Sequence, residues 1–386
     1  MGLTSELAER SARLSFDQLP DNVVAVARLC LLDWLGVTVV GPRTGHPSVA
    51  ILGAVLASAE SLHSCGPEFL CAFVAGYETA CRVGAAVGPL SYWRGFHHTG
   101  TIGTLGAAAA CSKLLSLDAQ RTTTALALAA TQAAGLGCMV GTMSKSFHAG
   151  KACENGLLAA LLAQNDFTAN ESAIECAKGF AATASGECDT AAALAEPPMG
   201  WHILSNLFKF DASCYMTHST LAGIRELRAQ HQLNIDEVAE IRLHLGELEF
   251  ATCALPRPAT GLEVKFSVAH LAAMAAPDRS TMVIDDSAAS DPAVALRDKV
   301  SVTDDGTSGA PTLVEVTLND GRQLSTAHDV NTPEHDLALQ RRRVEEKFRT
   351  ITTPHLGADR AEAVVAGVQS PAAALDVRAI TRLTRD

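Results

Sequence analysis

Over residues 4 to about 195, apolar side chains recur at the spacing of one helix face, as in Val23, Val24, Ala27, Cys30, Leu31, Trp34 and Leu35. Alternation of the strand type is hard to find there, so the stretch predicts helix packed on helix. Small residues dominate it: Gly103, Gly106 and the alanines 107–110, then Ala129, Ala130, Ala133, Ala134 and Gly135. Such thin helices approach closely and leave room for a site between them. The most apolar run, residues 126–141, is interrupted by Thr131 and Gln132. It falls short of a membrane span and is expected to be a buried helix.

The pattern changes after residues 186–200, a connection that includes Pro197 and Pro198. Residues 217–231 return to helical periodicity, Val238-Ala239-Glu240-Ile241-Arg242-Leu243-His244-Leu245 alternates as a strand does, and residues 265–275 are helical again. Residues 312–326 alternate around Asn319-Asp320-Gly321, a hairpin signal because these residue types accept positive φ. From Pro333 the helical pattern resumes with Leu337, Leu339, Val344 and Phe348, then over 361–368. The expected fold is mostly α: a large helical domain opened by residues 1–209, a smaller α+β domain over 210–331, and helices over 332–386 that complete the first domain.

With 386 residues, 48% hydrophobic and 19% charged, the chain has the profile of a folded globular protein of one large or two domains. A formal net charge of −12 disfavours nucleic acid as a partner. The one basic run, Arg341-Arg342-Arg343, is followed by Glu345 and Glu346 and reads as a solvated helix face. No basic segment precedes an apolar stretch at the N-terminus, and Met1-Gly2-Leu3-Thr4-Ser5-Glu6 lacks the Ser or Thr of a myristoylation signal. The expectation is a cytoplasmic protein without a membrane partner. Eleven cysteines form no Cys-x-x-Cys pair and no metal-type spacing, so they are expected to be reduced, mostly buried small hydrophobes, and no metal is called for.

Against this apolar background a few ionisable residues stand out: His97, Lys145, His148 and Lys209. Buried segments tolerate such groups only when they are solvated, paired or used. Gly95-Phe96-His97-His98-Thr99-Gly100-Thr101-Ile102-Gly103 superficially resembles a nucleotide loop, but no strand precedes it. A loop presenting His97 and entering a helix near Thr101 is the better reading. As an isolated pair His97 and His98 would be ordinary loop histidines, but a second cluster changes that. Lys145 and His148 are three residues apart and share a helix face, with Lys151 and Glu154 continuing as an exposed pair. The apolar flanks Leu136-Gly137-Cys138-Met139-Val140 and Leu157-Leu158-Ala159-Ala160 are expected to bury the cluster. A Lys and a His converging there would make an anion pocket suited to a small acid with two or three carboxylates. Lys209 and Cys214-Tyr215-Met216-Thr217-His218 lie near the expected domain boundary.

Together these segments resemble the MmgE/PrpD family. The resemblance rests on Leu32-Asp33-Trp34-Leu35-Gly36, His46-Pro47-Ser48-Val49-Ala50, Phe73-Val74-Ala75-Gly76-Tyr77-Glu78, the His97 loop with Gly103-Thr104-Leu105-Gly106, Gly141-Thr142-Met143-Ser144-Lys145 through Gly150, Asn155-Gly156 and Lys265-Phe266-Ser267. It implies a large helical domain completed by the C-terminus, a smaller α+β lid domain, and a homodimer. It also implies catalytic positions at His46, His97, Lys145, His148 and Lys209, with Lys145, Lys209, Thr101, Cys214 and Lys265 as substrate-binding candidates. The family often has a tyrosine soon after the Lys-Phe-Ser motif; here Val268, Ala269 and His270 follow Ser267. A larger departure precedes His46. Members of the family carry several dozen further residues there, including an Asn-Gly-x-x-x-His helix ending in an acidic stretch that feeds the active site. In this chain Gly41-Pro42-Arg43-Thr44-Gly45 leads directly into His46.

The function expected first is a cofactor-independent hydro-lyase of the 2-methylcitrate dehydratase type acting on a small di- or tricarboxylic acid. A cis-aconitate-type decarboxylase and an iminodisuccinate-type epimerase are alternatives. Lys145 and Lys209 would bind carboxylates, His97 or His148 would move the proton, and His46 would position or protonate the leaving group. A non-catalytic remnant that binds acids or only dimerises is the reading of another class, favoured by the absent acidic segment.

Overall fold

The computed structural model describes residues 2–40, 47–197, 199–290, 294–306 and 311–384. The chain divides into two compact units, one of Met1–Asn206 with His335–Asp386 and one of Leu207–Glu334. The first is helical, with α1 (Leu3–Arg13), α2 (Asp21–Val40), α3 (Pro47–Leu62), α4 (Gly66–Val87), the single turn α5 (Leu90–Trp93), α6 (His98–Leu114), α7 (Ala119–Gln132), α8 (Met143–Gln164), and the short α9 (Phe180–Ala184) and α10 (Thr190–Leu194). The second holds α11 (His218–His231), β1 (Val238–Leu245), α12 (Glu247–Cys253), α13 (Gly261–Val264), α14 (Val268–Ala275), α15 (Val294–Arg297), β2 (Val300–Asp304), β3 (Thr312–Leu318) and β4 (Gln323–His328). The chain then returns to the helical unit as α16 (Leu337–Leu356), α17 (Ala358–Gln369) and α18 (Val377–Thr384). The fold is mostly α with a smaller α+β part.

In the helical unit α6 is the central element, packed against α3, α4, α7 and α8. Its composition explains why. From Thr99 to Ser112 every residue is buried, and none is larger than leucine or isoleucine. Where neighbouring helices cross it, backbone meets backbone. A methyl group on Gly156 of α8 would lie 2.5 Å from the Ala107 Cβ and 2.8 Å from the Ala108 nitrogen. One on Gly76 of α4 would lie 2.5 Å from the Gly106 carbonyl oxygen. Real Cβ atoms do not approach so closely, so glycine sets both crossings. The returning α16 packs on α2, where Lys347 Nζ meets Asp33 Oδ1 at 2.6 Å and Phe348 lies over Gly36.

The α+β unit has a four-stranded sheet in the order β2-β1-β3-β4, with β1 and β2 parallel and the other pairs antiparallel. Val238, Ile241, Leu243 and Leu245 point inward from β1, and Leu221, Ile224 and Leu227 of α11 join the same core as Val314 and Val316. The turn between β3 and β4 falls at Asn319-Asp320-Gly321, where Gly321 has φ +88°, the left-handed backbone a hairpin turn requires.

Three expectations are corrected. The apolar run 126–141 is not one buried helix: α7 ends at Gln132, Gly135 has φ +142°, and Leu136 is 53% exposed. Ala133 already leaves helical backbone (φ −65°, ψ 111°), which apolar composition alone does not reveal. The cysteines are only partly core residues, since Cys65 and Cys138 are exposed and five more are half-buried. Among the described residues Asp21–Val39 and Gly66–Val87, not the run 126–141, are the helices long and apolar enough to cross a membrane by length and composition. In Gly66–Val87, 78% of that apolar window is buried inside the unit.

Gly156→Ala forces α8 away from the α6 backbone. It is expected to lower unfolding stability by about 1–3 kcal/mol, the usual cost of overpacking, as read by urea denaturation. Unchanged stability would show that the α6–α8 crossing is not fixed by this contact.

Candidate active site

His97 is the N-cap residue of α6, with extended backbone (φ −92°, ψ 105°) and a side chain that makes no capping bond. Its ring is thus left for other use. A short antiparallel strip holds the backbone: Phe96 bridges Leu136, the His97 N–H donates to the Gly135 carbonyl at 3.0 Å, and the Gly137 N–H donates to the Gly95 carbonyl at 2.7 Å. The helix begins at His98, three residues before the predicted start. His98 is not a loop residue; its Nε2 lies 2.6 Å from Ser91 Oγ, and its ring stands edge-on to Tyr92.

His148 comes from the second turn of α8, and its Nδ1 lies 3.0 Å from His97 Nδ1. The ring centroids are 5.2 Å apart with planes at 49°. Two glycines make this contact possible. A Cβ on Gly135 would fall 3.2 Å from His148 Nδ1, and one on Gly100 would press on the Ala134 carbonyl and on His148 Cβ. Asn155 fixes the helix further along by donating to the Gln132 carbonyl at the end of α7. Lys145, half-buried, stands one turn before His148 on the same helix.

The electrostatics follow from burial and this lysine. Burial, then Lys145, His148 and His98, push the His97 imidazole down to about 3. His148 is lowered by burial and by Lys145, and His98 by burial. His97 and His148 are therefore neutral imidazoles at neutral pH. The expected exposed pair Lys151–Glu154 is present at 2.9 Å. The expected apolar cover over the cluster is present only in part: none of residues 136–140 is buried, Leu136 being 53% exposed, whereas in the flank 157–160 Ala159 and Ala160 are buried. Among the described residues no three His, Cys, Asp or Glu side chains converge as metal ligands.

The other predicted residues fall as follows. Thr101, in the first turn of α6, is 2% exposed, its hydroxyl 3.5 Å from the His97 carbonyl. His46 lies outside the described residues. Lys209, Cys214 and Lys265 belong to the α+β unit. There Lys209 is buried and donates from Nζ to the Ser213 carbonyl at 2.7 Å, while the Cys214 N–H donates to the Lys265 carbonyl at 2.8 Å. His270 is 1% exposed, with Nε2 2.8 Å from the Ala288 carbonyl; it is a core residue of that unit. Asp211, not among the residues expected from the sequence, takes two bonds from Arg225 at 2.6 and 3.1 Å and a short one from Thr281. An aspartate two residues after a candidate lysine was the available signal.

Comparison with known proteins identifies the family. The family model for the MmgE/PrpD N-terminal domain matches residues 42–192, and that for the MmgE/PrpD C-terminal domain matches residues 212–370. A cis-aconitate decarboxylase of Aspergillus terreus is 24% identical over 366 aligned residues, covering 73% of this chain and 73% of that protein. The human cis-aconitate decarboxylase is 34% identical over 142 residues, and a cis-aconitate decarboxylase-like protein of Aspergillus oryzae 39% identical over 132. These two matches cover 36% and 32% of this chain and only 30% and 27% of the relatives' own length. With family models matched in both halves, the chain belongs to the MmgE/PrpD family.

Proposed function

We propose that this chain is a lyase that acts without a cofactor on a small di- or tricarboxylate, and that its reaction is loss of carbon dioxide from an unsaturated acid of the cis-aconitate kind. The His97–His148 contact carries the reading. Two neutral imidazoles that share one Nδ1–H···Nδ1 bond are opposite tautomers. The ring that donates keeps a lone pair at Nε2, and the ring that accepts keeps an N–H there. A base and an acid thus stand side by side.

Decarboxylation of a β,γ-unsaturated acid breaks a carbon–carboxylate bond, and its electron pair forms a new double bond to the adjoining carbon. The old double bond shifts, and its far carbon takes a proton. In this proposal an imidazole N–H supplies that proton, Lys145 balances a remaining carboxylate, and His46 and Lys209 keep only the roles that the family resemblance implies. Loss of carbon dioxide is placed ahead of loss of water because the Aspergillus terreus and human relatives are named cis-aconitate decarboxylases. The hydro-lyase reading uses the same histidine pair, one ring removing a proton from carbon and the other protonating a leaving hydroxyl.

Proton NMR in D₂O with citrate, 2-methylcitrate, aconitate and tartrate-like acids separates these outcomes. Aconitate is expected to lose carbon dioxide and give a deuterated product with a terminal alkene. Water loss from 2-methylcitrate would replace this reading with the hydro-lyase, and no exchange or conversion of any acid would leave only the non-catalytic reading. His97→Asn is expected to lower turnover by about a hundredfold or more, the scale of general acid–base catalysis, with an unchanged circular dichroism spectrum. Retained turnover would remove His97 from the mechanism. The acid limb of the kcat/KM profile is expected well below the ordinary histidine range, since His97 sits at about 3. Lys145→Gln removes a cation that opposes protonation of both rings, so the limb moves to higher pH; an unmoved limb contradicts the electrostatic role of Lys145.

A further inference from the structure

Apart from the histidine pair, the helical unit holds a small cavity of about 170 Å³ between α1 and α4. The two helices line it alike, α1 with residues 7, 10, 11 and 14 and α4 with residues 75, 78, 79 and 82, which is the spacing of one helix face on each. Residues 200 and 201 complete the wall, whose apolar part includes Leu7, Leu14, Ala75 and Trp201. Glu78 and Arg82 bring opposite charges to it. A glutamate four residues before an arginine is the order that pairs well along a helix, yet these two are not within ion-pair distance, and each is bonded elsewhere. The Glu78 oxygens accept backbone N–H groups, from His202 at 3.2 Å and from Ile203 at 3.0 Å. Arg82 is only 7% exposed and donates from Nη1 to the Ala193 and Ala195 carbonyls at 3.0 and 3.1 Å. Among the described residues nothing accepts a hydrogen bond from its Nε or Nη2. The third charge on the wall, Arg10, is already matched by Glu6 at 2.8 Å and by Glu196 at 4.0 Å.

We propose that this cavity binds a free α-amino acid with a small apolar side chain, its carboxylate on the Nε–Nη2 edge of Arg82 and its ammonium group on Glu78. A charge left without a partner in a largely buried wall costs free energy. A ligand that carries both opposite charges on one carbon answers Glu78 and Arg82 together. A simple acid would set its carboxylate beside Glu78, and a simple amine would set its cation beside Arg82. The Nε–Nη2 edge presents two parallel N–H donors, the geometry that takes both oxygens of a carboxylate. Each Glu78 oxygen keeps a lone pair for an ammonium N–H after accepting its backbone bond. The cavity has the volume of about six waters in the liquid, enough for a short aliphatic side chain against Leu7, Leu14 and Ala75. The bound amino acid would tie α1 and α4 to the segment at Trp201, a place in the fold that shares no residue with the His97 strip or with α8.

Binding is read without turnover, so the test is independent of the proposed function. The intact chain is titrated by calorimetry with L-valine, with isovalerate, which is valine without its amino group, and with isobutylamine, which is valine without its carboxylate. Valine is expected to bind saturably and at least about tenfold more tightly than either analogue, because each analogue leaves one charge of the wall unanswered. Glu78→Gln is expected to weaken valine by about tenfold or more while isovalerate binds as well as before or better. A fold defect does not produce that opposite response. Ala75→Leu fills the cavity and is expected to abolish valine binding with an unchanged circular dichroism spectrum; should that variant fail to fold, Glu78→Gln still decides. Isovalerate bound as tightly as valine would make this a simple anion site, and valine bound equally well by Glu78→Gln would place it elsewhere. Either result overturns the proposal, as does the absence of saturable valine binding.

Discussion

The structure depends on how closely α8 can lie against α6. Side chains in that crossing end at a hydrogen or a methyl group, and Gly156 sits against the backbone of Thr104, Ala107 and Ala108. Packed helices stand some 8–10 Å apart at their axes, the larger side chains giving the wider spacing. Glycine and alanine bring it to the near end. Because His97 opens α6 and His148 stands near the start of α8, this approach sets the distance between their rings. Gly100 and Gly135 then clear the space in which the His148 ring lies. Close packing and catalytic geometry are here the same constraint.

Charge follows from that placement. A histidine in an active site is often oriented by a carboxylate, which raises its basicity and holds one tautomer. Here each ring is held by the other, and the nearby charge is the cation of Lys145, which together with burial keeps both rings neutral. In the proposed reaction this cation meets an anionic substrate. Carboxylates that neutralise Lys145 remove the repulsion on the imidazoles and so raise their proton affinity when substrate is bound. Proton delivery is thereby coupled to occupancy in the proposed reaction.

Much of the fold is legible in the sequence because it follows from periodicity. The alternation from Val238 to Leu245 is β1 residue for residue, Asn319-Asp320-Gly321 is the hairpin turn, and the resumption of helix after Pro333 marks the return of α16 to the helical unit. The helical spacing of Lys145 and His148 placed them together on α8. What the sequence hides depends on backbone conformation and long-range contact. α7 ends at Gln132 because Ala133 turns to extended backbone, which cannot be read from a run of apolar residues. The pairing of His97 with His148 spans 51 residues and has no local signal.

The central claim, that two neutral imidazoles share one proton between their Nδ1 atoms, is tested most directly by ¹⁵N NMR of the ligand-free chain with labelled histidines at neutral pH. The account predicts that His97 and His148, assigned by single His→Gln substitutions, are neutral and in opposite tautomers, one protonated at Nδ1 and the other at Nε2, with a coupling across the hydrogen bond. Both rings in the Nε2–H tautomer, or an imidazolium at either position, would contradict it.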